Sequence, residues 1–248
     1  MSVEWYAESL RLTFFGTAGW TQRQMFTEIS GAIPAQINVQ PPLQIHQEAG
    51  DLAEASLSVS QQPGRIDVIL SDQPTRNTTN PEGPNYKPLF WIGPFDASLE
   101  KFDKLTSKVV SLVNSATRAA YSIVLVRQAT STREAMLVLR GCLPTVEFDA
   151  DHDGDLSFQI NRRARGPFGL VNRLAKWDLV QGITFQLAIG GPPAPQVPLT
   201  PPIFAARVYI DVSTDAENQA PFGSDVLPRL VDALRAYAVE IAERGDKA

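Results

Sequence analysis

Two stretches of this chain, one ending near its middle and one near its C-terminal end, repeat an apolar residue every three or four positions. In residues 98–114 these are Leu99, Phe102, Leu105, Val109 and Leu112; in residues 224–244 they are Leu227, Leu230, Val231, Leu234, Tyr237 and Ile241. The spacing follows the 3.6-residue helical turn, so each stretch predicts an amphipathic helix with one face to bury. Glu100 stands four residues before Lys104, a pairing that supports the exposed side of the first. Such helices need an apolar surface to lie on, and the runs that precede each of them supply it.

Before the first helix, Leu10, Leu12 and Phe14 alternate within 9–15, and a short helix is expected over 21–33. Strand-like runs follow at 36–47, 53–60 and 65–71. The last two are joined by Gln62-Pro63-Gly64, a turn signal. Leu57/Val59 and Ile66/Val68/Leu70 alternate as strands of an antiparallel sheet buried on one side do. Pro41 and Pro42 place an edge or a break in the first of these runs. Between 119 and 248 the order recurs. A strand at 119–128 leads to a helix opened by the capping box Ser131-x-x-Glu134, then strands at 145–148, 156–162, 179–189 and 203–212, then the second long helix.

The expected fold class is therefore α+β: two similar halves, 1–117 and 118–248, each an antiparallel sheet packed against a long helix, within one domain or two. This element order resembles the TATA-binding-protein-like fold, in which two pseudo-symmetric halves share a curved sheet. The resemblance rests on order alone. It transfers no residue role, and a shared fold does not set function.

Composition narrows the function classes. Net charge is −5, which disfavours general affinity for nucleic acid or anionic membrane, since phosphate neutralisation needs a cationic face. No apolar run approaches the roughly 20 residues that span a bilayer, and the acidic start at Glu4 and Glu8 lacks the basic region of a secretory signal. Cys142 is the single cysteine, so no internal disulfide forms and a cytoplasmic location is expected. With only His46 and His152, multi-histidine metal sites are all but excluded. Phosphate-loop, zinc-protease and nucleophile-elbow motifs are missing as well. Cys142 reads as a buried inert thiol, and His46 as facing solvent opposite Leu43 and Ile45.

Three segments carry candidate chemistry. Asp149, Asp151, Asp153, Gly154 and Asp155 resemble positions one, three, five, six and seven of an EF-hand calcium loop. Ile160 occupies the twelfth place, where a bidentate glutamate belongs, and the flanks read as strands. The expectation is an exposed hairpin connection, with a weak cation site on the aspartates as the alternative; no cofactor is expected. The second segment is the basic cluster Arg162, Arg163, Arg165, Arg173 and Lys176. No acid occurs from Ile160 to Trp177, and the cluster suits either internal pairing or an anionic ligand. The third is the long loop 72–95, with Tyr86, Phe90 and Trp91 as aromatic contact residues. A proline-rich stretch, 190–202, reads as a stiff connection.

The first functional reading is a non-enzymatic binding protein that uses Tyr86, Trp91, Arg162, Arg165, Arg173 and Lys176 to contact a protein partner. The alternative is an enzyme or sensor for a small anionic ligand at the arginine segment. A nucleic-acid binder comes third.

Overall fold

The computed structural model describes residues 4–17, 24–73, 91–182 and 202–248. The fold class is α+β: one large, wholly antiparallel sheet and four helices. The strands are β1 (Tyr6–Phe15), β2 (Gln36–Gln40), β3 (Ile45–Leu52), β4 (Ala55–Gln62), β5 (Arg65–Asp72), β6 (Gly93–Pro94), β7 (Ser115–Ala116), β8 (Arg118–Ala129), β9 (Ser157–Gly166), β10 (Gly169–Gly182), β11 (Ile203–Thr214) and β12 (Phe222–Gly223). The helices are α1 (Met25–Ser30), α2 (Phe95–Leu112), α3 (Thr132–Cys142) and α4 (Leu227–Arg244).

The main sheet runs β2-β3-β4-β5-β1-β8-β11-β10-β9, with β6 beside β1; β7 and β12 pair separately. Its centre is the β1–β8 pair, which sets Leu12 opposite Tyr121 and Leu10 opposite Ile123. One sheet therefore continues from the first part of the chain into the second. Side chains alternate across it, as the two-residue strand period requires. Leu10, Leu12, Phe14, Leu57, Val68, Leu70, Tyr121, Ile123, Leu125, Trp177, Val208 and Ile210 are buried on one face, and all four helices lie on that face.

Both long helices form where the apolar spacing places them. α2 buries Leu99, Phe102, Leu105 and Val109, and the Phe102 ring meets Tyr121 edge-on at 5.7 Å. α4 buries Leu227, Leu230, Val231, Leu234 and Ile241. The capping box at α3 is also present: the Ser131 hydroxyl accepts from the Glu134 N–H, and the Thr130 N–H donates to the Glu134 carboxylate.

The structure corrects several expectations. Residues 145–148 form no strand, because the Thr145 N–H is held by the Asp246 carboxylate rather than by a neighbouring strand. Strand β10 starts at Gly169, ten residues before the expected 179, so the basic segment is a hairpin instead of a loop. The tight turn at Gly169, with φ +105°, closes it. The run 36–47 is broken by a short turn of 3-10 helix at Pro41–Leu43. His46 is buried, only 4% exposed, and belongs to the helix-covered face; Ile45 takes the other face. The expected loop over 72–95 falls largely outside the described residues, as do Tyr86, Phe90 and the proline-rich stretch.

Candidate functional site

The face of the sheet opposite the helices carries most of the polar chemistry. Register places its side chains in rows across neighbouring strands. One row is Arg65, Phe15 and Arg118; the next is Asp67, Thr13, Ala120 and Ser213; the third is Ile69, Arg11, Ser122 and Asp211. Among the described residues, seven basic ones (Arg11, Arg65, Arg118, Arg163, Arg165, Lys176 and Arg207) and four acidic ones (Asp51, Asp67, Asp178 and Asp211) project from this face by strand parity, and Glu8, at a bulge in β1, joins them through Arg207. In a chain of net charge −5, this side is thus locally basic.

At its centre, Asp67 is 5% exposed and gathers two guanidiniums and a hydroxyl. Arg11 Nε donates to its Oδ1 at 3.0 Å, Arg65 Nε to its Oδ2 at 2.6 Å, and Thr13 Oγ1 to its Oδ1 at 2.7 Å. Burial alone would raise the Asp67 pKa. The hydrogen bonds from Arg65, Thr13 and Arg11 outweigh it and hold the carboxyl below its usual range. Arg65 and Arg118 flank the Phe15 ring, with guanidinium carbons 5.1 and 4.8 Å from its centroid, a favourable cation–π arrangement.

Arg118 differs from its neighbours. Its Nη2 donates to Ser213 Oγ at 3.1 Å, and its Nε has no hydrogen-bond partner. Among the described residues no carboxylate forms an ion pair with it. The closest acid by register is Asp211, two residues along β11 from Ser213, which accepts from Ser122 at 3.3 Å and from Tyr209 at 3.4 Å. Burial raises the Asp211 carboxyl above its ordinary range despite Ser122, Arg118 and Arg11. Tyr209 is likewise raised, first by burial and then by Asp211. Towards one rim, Arg207 holds Glu8 through two hydrogen bonds of 2.8 Å, and Tyr6 stacks on Trp91 at 5.2 Å.

The residues singled out from sequence are divided by this geometry. Arg165 and Lys176 project from the open face, Lys176 with Asp178 at 2.9 Å. Trp91 packs at the rim of the same face through Tyr6. Arg162 and Arg173 are directly opposed across β9 and β10, but they point to the helix side. There Arg173 donates to Glu240 at 2.9 Å and lies over the Tyr237 ring, while Arg162 reaches the Ala248 carbonyl at 3.1 Å. The space between these two arginines is about 10 Å³, the volume of one water at most. Replacing Arg173 by alanine is therefore expected to cost about 1–2 kcal/mol of stability, measured by urea unfolding, because Glu240 keeps Arg244 as a second partner. Anion binding should not change.

The acidic segment connects α3 to β9 and so is not a hairpin connection. Asp149 accepts from the Asp151 N–H at 2.9 Å and meets His152 Nδ1 at 2.8 Å, the Asp153 carboxylate accepts from the Asp149 N–H, and Asp151 pairs with Arg133. Asp149 pushes the His152 pKa up. Among the described residues Asp155 makes no side-chain hydrogen bond or ion pair, and no group of three or more potential metal ligands converges there.

A cavity of about 630 Å³ opens among the ends of α2, α3 and α4, lined in part by Glu4, Trp5, Phe95, Asp96, Cys142 and Glu243. The charged side chains of its described lining, Glu4, Asp96 and Glu243, are all carboxylates. Burial, then Asp246, pushes the Cys142 thiol up to about 11, which makes it a poor nucleophile.

The open-face cluster was invisible in the sequence because Arg11, Asp67, Arg118 and Asp211 lie on four separate strands. The available sign was that the polar positions of two alternating strands hold charges, Arg11 between Leu10 and Leu12 and Asp67 between Ile66 and Val68. Comparison of the chain with protein-family models, curated proteins and solved structures finds no match. No helix among the described residues is long and apolar enough to cross a membrane.

Proposed function

We propose that this is a binding protein whose open sheet face holds a small anionic ligand, a carboxylate, sulfate or phosphate group, at Arg118. The observation that carries the reading is the Arg118 guanidinium, which lies over Phe15 and, among the described residues, hydrogen-bonds only to the Ser213 hydroxyl. The Nε is buried, so an oxyanion would be met by the outer guanidinium nitrogens, which favour such a group. Arg11 and Arg65 stand beside it, each side chain about one third exposed, so the ligand's outer oxygens meet further positive charge. The buried floor of Thr13, Ser122 and Ser213 suits a compact group.

Titration calorimetry with sulfate tests the assignment. Arg118→Ala is expected to weaken binding at least about tenfold, and Asp67→Asn to strengthen it by releasing Arg11 and Arg65. Unchanged binding in Arg118→Ala would sink the reading. The pH dependence has a defined sign. Asp211 has a raised pKa, so its neutral form persists further up the pH scale, and ionisation then places a negative charge beside the ligand. Sulfate affinity should therefore fall as pH rises through the Asp211 titration, and Asp211→Asn should flatten the profile. Sulfate itself does not titrate in this range.

Two broader readings accompany this one. The strand order from the central seam, β1-β5-β4-β3 on one side and β8-β11-β10-β9 on the other, supports an internal structural repeat of the TATA-binding-protein-like kind over 1–117 and 118–248. The single buried thiol of Cys142 supports a cytoplasmic location.

A further inference from the structure

Ile33, Ile37, Val39 and Leu43 are 87%, 55%, 38% and 60% exposed, and they lie within a single run of eleven positions. Only two other large apolar side chains, Leu137 and Leu170, stand out comparably among the described residues. The run contains β2, which pairs with β3 on one side and, among the described residues, forms the outer edge of the sheet on the other. Edge strands are commonly guarded by charge, since their unpaired N–H and C=O groups invite another strand. This edge has no such guard: no Asp, Glu, Lys or Arg occurs between Glu28 and Glu48, in a chain that is 20% charged.

The strand is also self-complementary. Gln36-Ile37-Asn38-Val39-Gln40 reads almost alike in both directions. Antiparallel pairing about Asn38 places Gln36 opposite Gln40, Ile37 opposite Val39, and Asn38 opposite its own copy. Register with β3 puts Ile37 and Val39 on the helix-covered face, in line with Glu48 and His46, and the three amides on the open face. A symmetric pair would thus join four aliphatic side chains on one face and three amide pairs on the other, the arrangement that stabilises neighbouring strands. Pro34 and Pro41 bound the strand and confine the pairing to these five residues. The near-palindrome of the strand selects a second copy as the occupant, and charge does not oppose it at this edge. Two copies of a protein of net charge −5 repel over most approaches, and this uncharged run lets them meet without opposing like charges.

We infer that β2 pairs antiparallel with β2 of a second copy of this chain, forming a two-fold homodimer whose sheet continues across the Asn38 axis. The inference does not depend on the anion site, which lies at the sheet centre.

Analytical ultracentrifugation of the full chain, with Asn38→Lys as the perturbed variant, tests it. The wild-type chain is expected to sediment as a dimer. Asn38→Lys opposes two ammonium groups on the axis and should raise the dissociation constant at least about tenfold, with the circular dichroism spectrum unchanged. Asn38→Cys provides a second measurement. Directly opposed residues of an antiparallel pair have Cα atoms about 4.5–5.5 Å apart, within disulfide reach, so mild oxidation should cross-link the dimer through the new thiols. Cys142 is buried and does not compete. A wild-type chain that stays monomeric at hundreds of micromolar overturns the proposal, and so would an edge reserved for a segment of another protein, which gives the same result. A dimer unaffected by Asn38→Lys, or one that Asn38→Cys fails to cross-link, also overturns it.

Discussion

Trp177→Ala is expected to destabilise the protein by about 3–5 kcal/mol, the usual range for removing a fully buried large aromatic side chain. Trp177 is 1% exposed and lies on the helix-covered face of β10, opposite Val208 of β11 and Phe158 of β9. Its ring is 6.0 Å from that of Phe158. The indole therefore ties the outer hairpin to the body of the sheet, and the void left by its loss cannot close without shifting three strands. Urea unfolding followed by circular dichroism measures the effect. Trp177→Phe, which keeps an aromatic ring in place, should lose less than half as much. A loss under about 1 kcal/mol for the alanine variant would mean that the outer hairpin unfolds separately from the rest.

Glu48→Ala is expected to cost about 3 kcal/mol, measured in the same way. Glu48 is 0% exposed, and its carboxylate serves two groups. Oε2 accepts from the Phe26 N–H at 2.7 Å, satisfying a donor in the first turn of α1 that no local side chain caps. Oε1 lies 3.1 Å from His46 Nε2, in electrostatic contact without hydrogen-bond geometry. Removing the carboxylate leaves a buried imidazole and a helix donor without their partner, the circumstance in which breaking a buried pair is most damaging. Glu48→Gln retains an acceptor for Phe26 and should cost distinctly less. Equal losses for the two variants would show that α1 does not depend on this contact.

His46 and Glu48 also show why part of the structure was hidden. Around them the strand reads Ile45-His46-Gln47-Glu48-Ala49-Gly50, with polar residues at successive positions, so alternation assigns neither face. Ile45, as the apolar residue, is the expected inward one. The face was decided by Gly50, where a Cβ would come within 2.9 Å of the Phe26 ring. A helix lying that close requires a glycine on its own side of the strand, and His46 and Glu48 follow Gly50 by parity. The same parity divided the arginine cluster. Arg162 and Arg173 share the helix face and Arg165 the open one, a distinction that depends on β9 and β10 being strands. Five basic residues close in sequence suggest one site, but a strand sends neighbours to opposite sides.

The sequence alone determined the elements whose stability is local. The apolar stripes of α2 and α4 place both helices to within about three residues, the Ser131–Glu134 box starts α3, and the Pro63-Gly64 turn joins β4 to β5. Each depends on residues a few positions apart, whose contacts exist as soon as the backbone adopts the local conformation. Tertiary structure alone decided which strands are neighbours, which face the helices cover, and so which charges meet. Arg11, Asp67, Arg118 and Asp211 come together because β1 is flanked by β5 and β8, and β8 by β11. Those pairings close long loops to bury a shared apolar face, and the polar site on the reverse side is positioned by that burial.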